Sequence, residues 1–186
     1  MARVQSVLWN PGFTGTFEFP VLVPSDGFDG KWEERNWRNV PGPFYGAETD
    51  TCGTGWMCAP SNVFEDPEVQ EYVCIQPRNW SEVEEVVAAA GCDPFVGYGF
   101  DGNRQWTRAG VEAWWRRRPE LLAELQKKLQ EHQSQAAPDP SYLGSINAFL
   151  AYLEQEVETY LAHYIFWLEH GRPPKSGEKL PSLVGV

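Results

Sequence analysis

The chain is poor in the residues that usually carry chemistry in small proteins. Its 186 residues include three histidines, two methionines and four cysteines. No run of about 18 apolar residues is present that could span a bilayer. The opening Met-Ala-Arg-Val-Gln-Ser-Val-Leu-Trp-Asn-Pro lacks the apolar core and the small-residue cleavage site of a secretory signal. These absences lead to the expectation of a cytoplasmic protein with reduced thiols and no membrane partner. Basic residues are also short, with 15 Lys and Arg against 26 Asp and Glu for a formal charge of −11. Such a balance disfavours free nucleic acid and anionic lipid, and favours a basic partner by electrostatic steering.

Motifs for catalysis and metal binding are missing as well. Cys52, Cys58, Cys74 and Cys92 follow the spacing Cys-x5-Cys-x15-Cys-x17-Cys, whereas tetrahedral zinc takes close pairs two to four residues apart. We expect no metal and no cofactor. A Cys52–Cys58 disulfide fits the spacing, but free thiols are the simpler reading. The run Thr51-Cys-Gly-Thr-Gly55 could line an anion site with backbone amides and present Cys52 as a nucleophile, a role that needs a nearby base. All three histidines, His132, His163 and His170, fall in the C-terminal region. Gly97-Tyr-Gly-Phe-Asp-Gly102 has the Gly-x-Gly-x-x-Gly spacing of a dinucleotide loop but no βαβ unit around it, so it reads as a turn, and Asp101-Gly102-Asn103 lacks the ligand series of a calcium loop. We expect no catalytic residues.

What the chain does have is apolar and aromatic mass. It is 42% hydrophobic and 14% aromatic, with nine Trp, so it can fold without disulfide staples despite 15 Pro and 17 Gly. Charge is unevenly spread. Residues 48–93 hold ten acidic side chains against the single base Arg78, while residues 104–128 hold seven bases against Glu112, Glu120 and Glu124. The glycine-rich, aromatic stretch 91–118 joins the two and reads as a joint between layers. Its Arg104, Arg108 and Arg116 to Arg118 are expected to pair with the acidic segment or to stack on tryptophans.

Strands are expected at 4–9, 16–23 and 71–76, with 31–37 as a short helix or a strand pair. A helix is expected over 81–90, with Ser81 as N-cap, Glu84 completing a capping box and Gly91 as the stop. Thr107 is the next expected N-cap. Pro119 should break that helix, and a second should run to about residue 133. Over 141–171 the apolar residues Ile146, Leu150, Leu153, Val157, Tyr160, Tyr164 and Trp167 recur at alternating spacings of four and three. This seam predicts one long helix that packs in the core or pairs two copies of the chain.

The sum is an α+β protein: a small, mostly antiparallel N-terminal sheet with long loops, covered by three or four helices. A single domain is expected over 1–171, strand-rich to residue 80 and helical after it, followed by a loosely held tail at 172–186. Size, acidity and the missing catalytic signature are similar in general character to those of bacterial immunity proteins. The functional expectation is therefore a non-catalytic protein that masks a basic protein partner such as a toxin. Glu48, Asp50, Glu65, Asp66, Glu68 and Glu71 would steer that partner, and Tyr45, Trp56 and Phe64 would anchor it. The alternative is a small enzyme or ligand-binding domain with a pocket between the Cys52 loop and the loop at 97–106.

Overall fold

The structure, a computed structural model, describes residues 9–13, 28–50 and 52–183. It forms two compact units, residues 1–107 and 108–186. Among the described residues, no helix is long and apolar enough to cross a membrane. The expected strands at 4–9 and 16–23 lie outside the described residues, apart from Trp9, which is not in a strand.

The first unit is built from short elements because Pro and Gly interrupt the chain every few residues. Residues Trp32–Glu34 make a single 3-10 turn. Strand β1 (Tyr45–Gly46) pairs antiparallel with β4 (Tyr98–Gly99), with Tyr45 opposite Gly99. Strand β2 (Val63–Glu65) pairs antiparallel with β3 (Glu71–Val73), with Val63 opposite Val73 and Glu65 opposite Glu71. Among the described residues the expected antiparallel part is thus two small sheets. Helix α1 (Thr54–Cys58) precedes β2, α2 (Trp80–Cys92) follows β3, and α3 (Gly102–Gln105) follows β4. Val63, Val73, Val83, Val86 and Ala89 bury their side chains together in the core of this unit.

One loop design appears twice. Asp66-Pro-Glu-Val-Gln leads into β3, and Asp93-Pro-Phe-Val-Gly leads into β4. The Asp66 carboxylate accepts the N–H groups of Glu68 and Gln70, each at 2.9 Å. The Asp93 carboxylate accepts those of Phe95 at 3.1 Å and Gly97 at 2.7 Å. The Asp main-chain carbonyl in each loop takes the N–H of the Val, from Val69 at 3.0 Å and from Val96 at 3.1 Å. Both valines have left-handed backbone, φ 63° and 56°, a costly conformation for a β-branched residue. The three bonds to each Asp hold it in place.

The cap of α2 differs from the sequence expectation. Asn79, not Ser81, is the N-cap, and its side chain accepts the Glu82 N–H at 3.0 Å. Glu82 returns the interaction, accepting the Arg78 N–H at 2.9 Å and the Asn79 side-chain amide at 3.1 Å. Asn-x-x-Glu closes the helix two residues earlier than the Ser81–Glu84 pair would have. Burial works to raise the Glu82 pKa, but the hydrogen bonds from Arg78 and Asn62 outweigh it and hold the pKa below the ordinary value.

The second unit is helical. Helix α4 (Arg108–Gln133) starts directly after Thr107 and continues through Pro119, where a break was expected. An interior proline costs about 3 kcal/mol. Val111 and Trp114 before it, and Leu121 and Leu125 after it, are all buried, and each contributes roughly 1.5–3 kcal/mol. Burial on both sides therefore outweighs the local penalty. Helix α5 (Pro140–Gln155) is capped by Asp139, whose carboxylate accepts the Ser141 N–H at 2.8 Å.

Helix α6 (Val157–His170) follows after one residue, Glu156, at φ −116°. Hydrogen bonds from Glu156 N–H to Tyr152 O and from Tyr160 N–H to Glu156 O carry the ladder across this break. The expected long helix is therefore present as two segments. Ile146, Leu150, Leu153, Val157, Tyr160 and Tyr164 of the seam are buried within the chain, and Trp167 is half-buried. Gly171, at φ 66°, ends α6 with its N–H on Trp167 O. Beyond it Arg172 grips Glu178 through two bonds, at 2.7 and 2.6 Å, and Leu183 is buried.

Candidate functional site

The nine residues expected to meet a partner fall into two groups. Tyr45, Asp50, Phe64, Asp66 and Glu71 are buried, whereas Glu48 and Glu68 are exposed and Trp56 and Glu65 half-buried. The buried five hold the first unit together. Glu71 is the extreme case, with no exposed surface. Its carboxylate accepts the Gly55 N–H at 2.6 Å and the Tyr98 hydroxyl at 2.7 Å, and its own N–H donates to Thr49 Oγ1 at 2.8 Å. Gly55 must be glycine, because a Cβ there would collide with the Glu71 carboxylate and the Tyr98 hydroxyl. Burial raises the Glu71 pKa, the Tyr98 and Gly55 bonds partly offset this, and the charges of Asp50 and Asp93 push it further up. Burial and the facing Glu71 charge likewise drive the Tyr98 phenol well above its ordinary range.

Asp50 and Asp93 continue the network. The Asp50 N–H donates to Asp93 Oδ1 at 3.0 Å, and its carboxylate accepts the Cys52 N–H at 3.1 Å and the Thr54 hydroxyl at 3.3 Å. Asp66 takes Asn36 Nδ2 at 2.8 Å and Arg38 Nη1 at 3.3 Å besides its loop amides. Tyr45 donates to Asp101 Oδ1 at 2.8 Å and to Gly30 O at 3.0 Å. Burial and the Asp101 contact raise its pKa. Among the described residues, no three His, Cys, Asp or Glu side chains cluster as metal ligands.

This arrangement redirects the anion-site idea. The Cys52 and Gly55 amides already face the Asp50 and Glu71 carboxylates, so they present donors to the protein rather than to a bound anion. Each imidazole has a neighbour on the helices of the second unit. His132 packs on Tyr142, His163 Nδ1 lies 2.8 Å from Thr159 O, and His170 packs on Phe166. The arginines are held there too. Arg108 pairs with Glu112 and Glu169, and Arg117 with Glu120. Arg118 stacks over Trp115 at 4.0 Å while donating to Leu153 O. The stacking was expected; the glutamate partners come from outside the acidic segment 48–93.

The structure also exposes two side chains that the sequence reading left out. Met57 is 72% exposed and Phe95 69% exposed, the two exposed large apolar side chains among the described residues. Met57 lies in α1 beside Cys58, and Phe95 follows Cys92 by three residues at the tip of the second Asp-Pro-x-Val loop. The two thiols are 3.6 Å apart, which brings these segments together. The Glu71 charge acts on the Cys58 thiol. The sequence signal for Phe95 was its place after Asp-Pro, where a loop tip turns outward.

No protein-family model, no curated protein and no solved structure matches this chain.

Proposed function

We propose that this chain is a non-catalytic binding protein of the immunity-protein kind, which masks a basic protein partner through an acidic face of its first unit. The observation that carries the reading is the exposure of Met57 and Phe95 within a segment where acidic residues outnumber bases ten to one. Buried apolar anchors supply most of the affinity at protein interfaces, and rim charges supply rate and selectivity. Met57 and Phe95 take the anchor role, with Trp56 beside them. Glu48, Glu65 and Glu68 supply the steering charge. The remaining carboxylates expected at the surface serve this face indirectly, by fixing the loops that carry it. A cytoplasmic setting, in which the thiols stay reduced, belongs to the same proposal.

The test is neutralisation. Co-expression of the chain should relieve the toxicity of a basic protein encoded beside its gene, and the purified pair should bind with an affinity that falls steeply with salt. Phe95→Asp together with Met57→Asp should weaken binding by at least about tenfold while the melting temperature stays unchanged. Relief that survives both substitutions, or turnover of a small-molecule substrate by the chain alone, would overturn the proposal.

A further inference from the structure

Cys58 and Cys92 are the last residues of α1 and α2, 34 positions apart in sequence, and their Sγ atoms are 3.6 Å apart. Small side chains make this approach feasible. Ala59, Ala89 and Ala90 are buried in the core of the first unit, and Cys58 packs against that core. Cys92 is exposed, Cys58 half-buried and Cys74 fully enclosed. A disulfide needs an S–S separation of about 2.05 Å, so from 3.6 Å the two sulfurs must close by about 1.5 Å. Both lie at helix ends, where a side-chain rotation is resisted least.

We infer that Cys58 and Cys92 form a dithiol site that takes a small-molecule disulfide and becomes an intramolecular disulfide joining α1 to α2. The exposed Cys92 thiolate attacks one sulfur of the oxidant RSSR, forming a mixed disulfide and releasing RS⁻. Cys58 then loses its proton to solvent and its thiolate attacks Cys92 Sγ, forming the protein disulfide and releasing the second RS⁻. Two protein thiols are oxidised and one small disulfide is reduced to two thiols, so electrons and atoms balance. Cys92 goes first because it is accessible. Cys58 is the resolving thiol: burial raises its pKa, and the hydrogen bond to Cys92 raises it further, so it reacts only once a neighbouring sulfur has been activated. The chemistry stands whether or not the face beside it binds a partner.

The Glu71 charge on Cys58 and the acidic excess of residues 48–93 favour a cationic oxidant, and cystamine is the probe. The intact chain carrying Cys52→Ser is incubated with cystamine, quenched with acid and mapped by peptide mass. The expected product has lost two hydrogens, retains no cysteamine and yields a cross-linked peptide pair containing Cys58 and Cys92. Cys74, whose thiol burial pushes up to about 12, stays free as an internal control. Closing a loop of 34 positions should raise the melting temperature on the order of 10 °C, reversed by dithiothreitol. Adding Cys58→Ser should stop the reaction at one cysteamine on Cys92. Retention of cysteamine on both Cys58 and Cys92 in the parent would overturn the inference, as would a mapped bond to Cys74. Mapping the wild-type chain supplies a check free of substitutions, in which a bond from Cys52 to Cys58 or Cys92 would also overturn it.

Discussion

The two units of this chain solve the same problem, satisfying a buried backbone, in different ways. In the second unit the helical ladder pairs most N–H and C=O groups by itself, and the side chains of the seam are left to fill the core. In the first unit strands are two or three residues long, so polar side chains stand in for the missing ladder. Asn39, buried, donates to Asn36 O and Gly46 O and accepts the N–H groups of Gly46 and Val73. Gln76, also buried, donates to Val40 O and Phe44 O and accepts the Phe44 N–H. Stability therefore rests on polar satisfaction in one unit and on apolar volume in the other.

That contrast can be broken in order of size. Asn39→Ala should be the most damaging single change. It removes the acceptor of the buried Gly46 and Val73 N–H groups and one of the two donors to Asn36 O and to Gly46 O, and a loss on the order of 4 kcal/mol should appear as early unfolding of the first unit in hydrogen exchange, with α4 to α6 still protected. Ile146→Ala should do the reverse, costing about 3 kcal/mol through the cavity it leaves and exposing amides of the second unit first. Equal damage to both units by either variant would show that they unfold as one. Pro119→Ala should stabilise the second unit by roughly 1–3 kcal/mol, since it restores an interior hydrogen bond without removing buried surface; a chemical-denaturation midpoint reads it directly.

A finer contrast lies in pH. The raised folded-state pKa of Glu71 means that its contribution is most favourable when the carboxyl is protonated. That contribution declines as pH rises from the ordinary carboxyl value of 4.5 through the raised one. Glu71→Gln should therefore flatten the stability profile in this window, while near pH 7 its unfolding free energy stays within about 1 kcal/mol of the parent. Glu178 has the opposite sign. Held at about 2 by Arg172 and the Lys175 N–H, it supports the tail above its unfolded value and loses that support as pH falls toward about 2. Glu178→Gln should remove that acid-side change and leave the Glu71 window untouched, as read by hydrogen exchange at 172–183.

Some features were legible because their cause is local. The seam from Ile146 to Trp167 repeats at helical spacing, so its burial followed from periodicity. β3 at Glu71 and the start of α4 after Thr107 followed from β-rich composition and cap chemistry. Pro119 misled because its penalty is local, whereas the burial of Leu121 and Leu125 that offsets it is not. Asp50, Asp66 and Glu71 were read as surface because carboxylates are seldom buried. Their partners, such as Tyr98 for Glu71, lie in distant parts of the chain and leave no spacing to detect. The same holds for the meeting of Cys58 and Cys92, which depends on α1 and α2 ending together.

By itself the sequence determined the α+β character, the separation of charge and the helical seam, since composition and short-range periodicity act through neighbours along the chain. Only the tertiary structure decided which carboxylates face inward, which apolar residues remain outside and which thiols meet. Those outcomes depend on desolvation and on contacts between residues tens of positions apart, where a buried charge must find its donors and a cysteine its partner in space.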